Sequence, residues 1–411
     1  MSSITTTPPT PLAEGTPSVP PRRRYGLRAA WIMMASGWSA NQFSALLGAY
    51  RSELGLSESA VTGLFALYVV GLVPGLLVCG PLADRVGRRP VALTALALNL
   101  LSTGALMLGA GATGWLWPGR FVTGVSAGAL LAAGSAWIKE LSSEPYVPLD
   151  PRTASTASRR AGLFVSAGFA SGGLVAALIA RWAGAPMVTA YVPHLLLAAG
   201  AGLAALTAPE TGTRHRGPHT EQPPGVGRLF RRAVLPVAPW VFAAPSVGFV
   251  TLPGLVHGGL VHTGAATALV PGTGLLVQPL ARRVAKRHRL ATAVAGLLVI
   301  TVGFGAAALA AATEDPPTAL AAAAVLGAGY GFVLTYGLTE VTALAPPHRL
   351  ARLTAYFWTA AYVGMLAPYA MTLLSGAVPP PALLGAAAAL AALSCVLLIT
   401  LHARRPDPAL G

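Results

Sequence analysis

Residues 80–89 read Gly-Pro-Leu-Ala-Asp-Arg-Val-Gly-Arg-Arg, a run of glycine and charge between two long apolar segments. Each apolar segment is about 20 residues long, which is enough for an α-helix to cross roughly 30 Å of hydrocarbon. A short charged stretch between two such segments is typical of a turn at the surface of a membrane. The run therefore indicates a protein whose chain crosses the bilayer and returns.

The composition of the whole chain supports the same class. Of the 411 residues, 54% are hydrophobic and only 10% are charged, whereas soluble domains carry roughly 25% charged residues. The 47 glycines suit helices that pack closely in lipid, where small residues let backbones approach. Composition thus favours an all-α membrane protein over a β-barrel, which needs short alternating strands.

Hydropathy predicts twelve transmembrane helices along the chain. The seventh is the least regular because prolines interrupt it; we interpret them as kinks, since neighbouring helices can satisfy the freed backbone groups. The predicted spans are residues 29–50, 58–80, 90–110, 114–138, 160–180, 186–207, 234–256, 262–281, 290–312, 318–339, 353–375 and 380–401.

The basic residues are distributed unevenly between the two sides of this predicted topology. Of the 28 Lys and Arg residues, 25 fall on the side that holds the amino terminus. Arg51 and Arg181 fall on the other side, and Arg120 lies within the fourth span. By the positive-inside rule, we expect a cell-membrane protein with both termini in the cytoplasm. The net charge of +15 is thereby explained without nucleic acid, for which the sequence contains no recognition domain.

The chain contains an internal repeat. The stretch Gly75-Leu-Leu-Val, followed by Pro-Leu-Ala-Asp-Arg-Val, returns as Gly274-Leu-Leu-Val, followed by Pro-Leu-Ala-Arg-Arg-Val. Likewise Glu140 at the end of the fourth span has a counterpart, Glu340, at the end of the tenth. The repeat predicts two pseudo-symmetric six-helix bundles with a site between them near the middle of the membrane. The predicted divisions are a disordered amino terminus (1–28), the amino-terminal bundle (29–208), a cytoplasmic linker (209–233), the carboxyl-terminal bundle (234–402) and a cytoplasmic tail (403–411).

The pattern Gly-x-Leu-Ala-Asp-Arg-x-Gly-Arg-Arg at residues 80–89 resembles the loop between helices 2 and 3 that marks the major facilitator superfamily. The resemblance implies a twelve-helix secondary transporter that works by alternating access. It also implies that Asp84 faces the start of helix 11, near residues 349–353, and latches the two halves together on the cytoplasmic side.

The second copy of this loop differs from the first at one charged position. Arg282 stands where Asp84 stands in the first copy, so the second copy is purely basic. We expect Glu140 to pair with the arginines of the first copy. We expect Glu340 to pair with Arg282, Arg283 or Arg349. The complete predicted gate consists of Gly80 and Gly87, which permit tight turns, together with Asp84, Arg85, Arg88, Glu140, Glu210, Arg282, Arg283 and Glu340.

Arg120 is the most conspicuous charge inside a predicted span. The motif Arg120-Phe-Val-Thr-Gly124 is similar to the helix-4 motif Arg-x-x-Gln-Gly of proton-coupled members of the superfamily, with Thr123 in place of glutamine. An intramembrane arginine is by default a functional candidate, here as a contact for an anionic substrate or as a partner in proton coupling. The alternative is a side chain that snorkels outward beside Trp115 and Trp117.

The sequence gives little support to proton coupling through a buried carboxylate, because no Asp or Glu lies in the middle of a predicted span. The segment Gly168-Phe-Ala-Ser-Gly-Gly also departs from the helix-5 motif of antiporters, since Phe169 replaces its proline. His194 in the sixth span is a candidate for proton coupling because an imidazole titrates near neutral pH. The alternative is a structural histidine bonded to a backbone carbonyl.

The family resemblance places the substrate cavity among helices 1, 4, 7 and 10. Trp38, Asn41 and Gln42 share one face of the first span at helical spacing. Aromatic residues in spans ten and eleven are candidate cavity walls, with interhelical packing as the alternative. The predicted substrate site comprises Trp38, Asn41, Gln42, Arg120, Tyr330, Tyr336, Trp358 and Tyr362.

The leading functional hypothesis is efflux of a drug or metabolite, with protons as a candidate coupling ion. Facilitated or proton-linked uptake of a sugar or organic anion is one alternative, and a transport-inactive receptor or assembly partner is another. We expect no enzyme, because the few His, Asp and Glu residues form no catalytic constellation. Cys79 and Cys395 suggest neither a disulfide nor a metal site, and we expect no cofactor. The expected partners are a small-molecule substrate and the lipid bilayer, with the protein as a monomer.

Overall fold

The computed structural model describes residues 24–147, 151–211, 226–344 and 350–403. Within these ranges the chain is almost entirely helical and contains no strand. Most of the predicted disordered amino terminus, the centre of the predicted linker and nearly all of the predicted tail lie outside the described residues. The helices themselves confirm an all-α membrane fold.

The amino-terminal bundle consists of six long helices. A short helix, Leu47–Leu54, extends the first of them beyond a break at Leu46. The six are α1 (Tyr25–Ala45), α2 (Glu58–Val86), α3 (Arg88–Leu108), α4 (Thr113–Glu140), α5 (Pro151–Trp182) and α6 (Pro186–Leu206).

The carboxyl-terminal bundle repeats this arrangement. A short helix, Val226–Ala233, precedes it. Its six helices are α7 (Trp240–Leu255), α8 (Gly259–Arg287), α9 (Arg289–Thr313), α10 (Pro316–Leu344), α11 (Leu350–Val363, continued by Gly364–Leu366 and Ala367–Leu374) and α12 (Pro380–Ala403).

Each of the twelve predicted spans coincides with one of these helices. Among the described residues, ten helices are long and apolar enough to cross a membrane. The two exceptions have physical reasons. Helix α7 is a shorter apolar helix, and α1 carries serine, asparagine and glutamine on buried positions. Both belong to the set that the family resemblance places around the substrate cavity.

The predicted loop at residues 80–89 is in fact almost entirely helical. Helix α2 continues to Val86 and α3 begins at Arg88, so that Gly87 alone separates them. Gly87 has φ 120° and ψ 152°, a backbone conformation that only glycine adopts without strain. In the second bundle, His288 separates α8 from α9 with φ −145°, which is ordinary extended backbone.

The two bundles use the same helix pairs. In the first bundle α2 and α3 pack on α4, while α1 packs on α5. In the second bundle α8 and α9 pack on α10, while α7 packs on α11. Glycines allow the tightest of these contacts: a Cβ added at Gly124 would overlap the carbonyl oxygen of Tyr68, and one at Gly327 would overlap that of Val270. The repeat seen in the sequence therefore corresponds to a repeated packing pattern.

The helix ends form two faces of the molecule. We call the face that carries Gly87, Glu140, Glu210, Arg289 and Glu340 the basic end, and the other face the opposite end. The opposite end carries the first residues of α2 and α8 and the last residues of α1, α5 and α11.

Between the described parts of the two bundles, the contacts named below lie from the middle of the helices toward the opposite end. Asn41 of α1 donates a hydrogen bond to the Thr267 carbonyl of α8 at 3.2 Å. The Phe65 ring of α2 packs edge-on against Phe249 of α7, with centroids 6.3 Å apart. Gly63 of α2 lies against the Tyr369 ring of α11. Packing of α5 on α8 extends the same seam.

Candidate functional site

At the basic end, Glu210 caps the start of α3. One carboxylate oxygen accepts from the Arg88 amide at 2.8 Å and the other from the Arg89 amide at 2.9 Å. A carboxylate is stabilised there by the free amides and the positive end of the helix dipole. A Cβ on Gly87 would lie 2.6 Å from this carboxylate. Gly87 is therefore required both by its backbone conformation and by the approach of Glu210.

Arg88 joins two acids of the predicted gate. Its guanidinium forms an ion pair with Asp84 one turn earlier in the chain. It also contacts Glu140 at the end of α4, with Nε 3.3 Å from a carboxylate oxygen. The Thr211 hydroxyl donates to the other oxygen of Glu140. The structure thus brings Asp84, Arg88 and Glu140 together within the first bundle, whereas Arg85 is exposed beside them.

The chain segment after α6 is fastened to the same end of the bundle. The Trp137 indole donates to the Pro209 carbonyl at 2.9 Å, and Arg89 donates to the Leu206 carbonyl at 2.9 Å. The Tyr146 hydroxyl donates to the Glu210 carbonyl at 3.5 Å. Burial raises the pKa of Tyr146, and the nearby carboxylates of Glu210 and Glu140 raise it further. Tyr146 accordingly stays protonated and able to donate at neutral pH.

In the second bundle the acid at the basic end has a partner that the sequence did not predict. Glu340 lies 3.7 Å from Arg289, the first residue of α9. Its side chain is only 4% exposed, whereas that of Arg289 is 46% exposed. Arg282 and Arg283 lie on the last turns of α8, and Arg349 lies outside the described residues. The sequence did not single out Arg289, because the positive-inside rule already accounts for a basic residue on that side of the membrane.

Most of the predicted latch partner of Asp84, the start of α11 near residues 349–353, lies outside the described side chains. In the conformation present here, Asp84 is engaged by Arg88 of its own bundle and is 59% exposed. The position of Gly80 is ordinary for a helix residue: it lies within α2 beside Ala132 of α4. The tight turn expected of Gly80 is therefore wrong, and Gly87 alone makes the turn.

Arg120 is fully buried near the opposite end of α4. Its guanidinium carbon lies 4.2 Å from the centre of the Phe43 ring and 4.9 Å from that of Tyr68. Nε donates to the Leu64 carbonyl at 3.3 Å. Among the described residues, Nη1 and Nη2 have no hydrogen-bond partner. This arrangement contradicts the snorkelling alternative, because the side chain is enclosed by aromatic rings within the bundle.

Thr123 does not take over the role of the glutamine that it replaces in the resembled motif. Its hydroxyl donates to the Gly119 carbonyl at 2.7 Å and approaches the Ser102 hydroxyl at 3.1 Å. Thr123 therefore belongs to a polar network behind Arg120 rather than to the arginine itself.

Asn99 is the centre of that network, which sequence reasoning missed. Its Nδ2 donates to the hydroxyls of Ser39 on α1 and Ser126 on α4, each at 2.9 Å. One turn away, Thr103 is hydrogen-bonded to Nδ1 of His194 on α6 at 2.9 Å. These residues are at most 1% exposed. A lone amide in the apolar third span was the available signal, because a buried amide needs partners.

The predicted residues of α1 are buried between helices and do not line an open surface. Asn41 donates to the Phe169 carbonyl of α5 at 2.7 Å as well as to Thr267. Gln42 is fully buried and Trp38 is 8% exposed. Among the described residues, the Trp38 indole nitrogen and the amide oxygen and nitrogen of Gln42 have no hydrogen-bond partner. Asn41 thus joins the bundles, whereas Trp38 and Gln42 hold unpaired polar atoms in the seam.

Four aromatic side chains of the second bundle form a cluster that we call the aromatic wall: Phe242, Tyr330, Trp358 and Tyr362. Phe242 stacks on Tyr362 with centroids 4.3 Å apart and planes 21° apart. It lies 6.1 Å from Trp358 at 32° and 6.4 Å from Tyr330 at 28°. Three of the four are half-buried and Tyr362 is buried. Sequence reasoning missed Phe242 because the prolines of span seven obscured which of its faces points inward.

Tyr336 does not belong to the aromatic wall, although it was predicted to line the cavity. It is 2% exposed in the apolar core of the second bundle, and its hydroxyl donates to the Ala233 carbonyl at 3.0 Å. Its position ties α10 to the short helix that precedes α7. The physical reason is helical phase, since Tyr330 and Tyr336 are not separated by whole turns.

Among the described residues, no group of three His, Cys, Asp or Glu side chains is arranged to hold a metal ion. Cys79 and Cys395 are free thiols.

Known proteins resemble about a fifth of the chain in sequence. Other proteins resemble nearly all of it in fold. The Multidrug resistance protein MdtL of Klebsiella pneumoniae (strain 342) is 31% identical over 88 residues, which cover 21% of this chain and 22% of that protein. MdtL of Escherichia coli O139:H28 is 32% identical over 89 residues, or 22% of each chain. The match thus spans about a fifth of these relatives.

Solved structures share the fold. A POT family transporter in complex with 5-aminolevulinic acid superposes with a TM-score of 0.75 at 11% identity, over 92% of this chain and 96% of that one. Peptide transporter POT in complex with sulfate gives a TM-score of 0.77 at 14% identity, over 94% and 97%. The model of the Major Facilitator Superfamily matches residues 29–367. Because that match covers most of the chain, the protein belongs to the Major Facilitator Superfamily.

Proposed function

We propose that this transporter exports a small organic molecule from the cytoplasm by alternating access, with its basic end in the cytoplasm. The uneven distribution of Lys and Arg supports that orientation through the positive-inside rule. The partial similarity to the MdtL multidrug resistance proteins supports export over uptake. The structural neighbours support only the fold, so peptide transport is not part of the proposal.

The observation that carries this proposal is the different closure of the two ends. Contacts between the bundles, such as Asn41 to Thr267 and Phe65 to Phe249, lie toward the opposite end. At the basic end, two ion pairs among the described residues, Asp84 to Arg88 and Arg289 to Glu340, each lie within a single bundle. Such a distribution suits a state that receives cargo from the basic end.

The same charges supply a means of closing the basic end. Ion pairs at a surface contribute only about 0–1 kcal/mol each. A transporter needs no more than a few kcal/mol between its two states. Several such exchanges together, including that of the Asp84 to Arg88 pair for a contact with the start of α11, would therefore bias the gate. Glu140, held by Arg88 and Thr211, would be freed or re-paired in the same step.

Protons remain the candidate coupling ion in this proposal, with His194 as the candidate titratable group and Arg120 as a charged partner in coupling, since a guanidinium stays protonated. His194 is buried and bonded to Thr103, which favours its structural alternative. Arg120 is the stronger candidate, because two of its nitrogens lack a protein partner among the described residues.

The proposal is tested by accumulation of aromatic antibiotics and dyes in a drug-sensitive host that expresses the protein. We expect lower accumulation than in the empty-vector host, and we expect Asp84→Asn to abolish the difference at equal membrane levels. Lys139→Gln is the matched control, because it removes an exposed charge at the same end outside the gate. Higher accumulation in the expressing host would overturn export, and unchanged accumulation of every compound would overturn transport of this class.

A further inference from the structure

The aromatic wall and the buried Arg120 together indicate which charge the cargo carries. We propose that the binding site takes planar aromatic compounds that are anionic or neutral and rejects cationic ones, with Arg120 as the residue that sets this selectivity. The inference rests on the proposed function for its transport direction, but the selectivity of binding stands apart from it.

The geometry of the aromatic wall suits a flat ring. The planes of Tyr362, Trp358 and Tyr330 lie within 21–32° of the Phe242 plane. Because these rings are nearly parallel, the planar ring of a cargo molecule can stack on them in an offset arrangement. The cages that enclose quaternary ammonium groups instead surround the cation with rings on several sides. The half-buried rings of Phe242, Trp358 and Tyr330 are the partly accessible portion of this stack.

The spanning helices lack the acid that a cationic cargo needs. None of the acids in the described spanning helices lies deeper than about one turn from a helix end. The acids at these ends are Glu58, Asp84, Glu140 and Glu340. A cation leaving water for a low-dielectric site loses its hydration energy, and without a nearby anion nothing replaces it.

The buried charge that does lie within the first bundle is positive. Arg120 is surrounded by Phe43, Tyr68 and a backbone carbonyl rather than by a carboxylate. Its two terminal nitrogens have no partner among the described residues. The charge of this guanidinium is therefore uncompensated by the described protein, and its field extends into the surroundings.

Tyr68 connects Arg120 to the aromatic wall. One face of the Tyr68 ring lies against the guanidinium, and Tyr68 belongs to the same buried apolar cluster as Tyr362. The cluster also takes in Phe242 and Trp358. The positive charge is thus linked to the wall through packed side chains of this one cluster, and its field would favour an anion on the cargo and oppose a cation. The ring faces of Phe43 and Tyr68 that contact Arg120 are already occupied by its guanidinium.

A matched set of three anthracene compounds tests the inference on the purified full-length protein in lipid nanodiscs. The three carry a carboxylate, a hydroxymethyl group or a trimethylammonium group at the same ring position, and their own fluorescence anisotropy reports binding. We expect the cation to bind at least roughly tenfold more weakly than the carboxylate, as expected for one unit charge at an intermediate effective dielectric. Equal or tighter binding of the cation, or binding of none of the three, would overturn the inference.

Two substitutions assign the selectivity to Arg120. Arg120→Gln should abolish the difference between carboxylate and cation, whereas Arg120→Lys should keep its sign. If Arg120→Gln fails to fold, Arg120→Lys still tests the inference. Tighter binding of the carboxylate than of the cation in Arg120→Lys would support a role for the positive charge, and the reverse order would contradict it.

A second pair of variants locates the site. Trp358→Ala should weaken binding of all three compounds roughly tenfold or more, since stacking on an aromatic side chain contributes substantially to binding. Tyr356→Ala is the control, because Tyr356 is 47% exposed on the same helix and does not belong to the wall. Equal loss in both variants would place the site elsewhere. Directional flux in proteoliposomes separates the two proposals, since correct charge ranking without export would overturn the proposed function alone.

Discussion

The two bundles share one helix arrangement and both have buried apolar clusters, but they differ in how much polar bonding is buried between their helices. The first bundle contains the buried Asn99 network and, at the basic end, the cluster of Glu210, Arg88 and Glu140. The second bundle has one continuous apolar core that extends from Phe230 to Leu398. A repeated fold therefore tolerates a buried polar network in addition to apolar packing in one copy, since backbone bonding already satisfies the helices in a membrane.

Two matched positions display the difference. Asn99 and Ile300 each lie eleven residues after the first residue of their helix, Arg88 in α3 and Arg289 in α9. Both are fully buried. Asn99 bonds to neighbouring helices, whereas Ile300 packs against Gly329. The hydrogen bonds of Asn99 fix the relative positions of α1, α3 and α4, which apolar contacts do less specifically.

The largest effect on stability is expected at Gly87, which separates α2 from α3, in comparison with His288, which separates α8 from α9. Gly87→Ala places a Cβ against Glu210 and forces a non-glycine residue to φ 120°. Such strain costs about 1–3 kcal/mol, and loss of the Glu210 cap adds to it. We expect a clear fall in melting temperature in detergent and loss of export. His288→Ala, at the corresponding break with φ −145°, should melt close to the parent, and an equal fall in both variants would refute the comparison.

The next largest effect is expected when Asn99 and Ile300 are each replaced by the residue type that stands at the other position. Ile300→Asn buries an amide in an apolar core, where an unpaired polar group costs about 1–3 kcal/mol. Asn99→Ile leaves the Ser39 and Ser126 hydroxyls without their donor and should cost a similar or smaller amount. Melting temperature measures both.

Ile300→Val serves as the control for these two, since it removes one methylene and costs about 0.5–1.5 kcal/mol. If Asn99→Ile were more stable than the parent, the network would act for specificity of packing rather than for stability.

A smaller effect is expected for the acids at the basic end. Glu140→Gln removes one of the two carboxylates that contact Arg88, and surface ion pairs contribute about 0–1 kcal/mol. We expect little change in stability but a measurable change in the populations of the two transport states. Glu340→Gln should cost more stability than Glu140→Gln, because the Glu340 carboxylate is almost completely buried. Equal effects would show that burial does not matter here.

The smallest effect is expected at the starts of α4 and α10. Asp315 caps α10 by accepting from the Thr318 amide at 2.9 Å, whereas Ala112 gives the start of α4 no side-chain cap. Hydrogen bonds from the Thr318 hydroxyl and the Thr318 amide lower the pKa of Asp315. Its contribution is therefore present above the ordinary aspartate pKa and is lost as the pH falls through the lowered value. Asp315→Ala should remove this pH dependence of melting, while Ala112→Asp should add a small stabilisation.

Much of the fold was predictable because hydropathy and charge report directly on the membrane. The twelve spans and the repeat follow from apolar length, the positions of Arg and Lys, and the two similar loops. The end of α2 at Val86 was not predictable from hydropathy, because a helix continues into water once its first turns are formed. Only Gly87, with its unusual backbone, determines where the turn lies.

The candidate site was predictable only in part. Arg120 stood out as an intramembrane charge, and Trp358, Tyr362 and Tyr330 as aromatic residues at the expected depth. Phe242, Asn99 and Arg289 were missed because their roles depend on which helices become neighbours. Tyr336 was wrongly included because composition and depth do not reveal helical phase relative to a cavity.

Paired distance measurements by electron spin resonance test the central claim, that the bundles close at the opposite end here and exchange this for closure at the basic end. Labels at Arg85 and Lys286 report on the basic end, and labels at Arg51 and His257 on the opposite end; all four are exposed. The account predicts that an aromatic cargo shortens the first distance while lengthening the second. Movement of both distances in the same direction, or of neither, would contradict it.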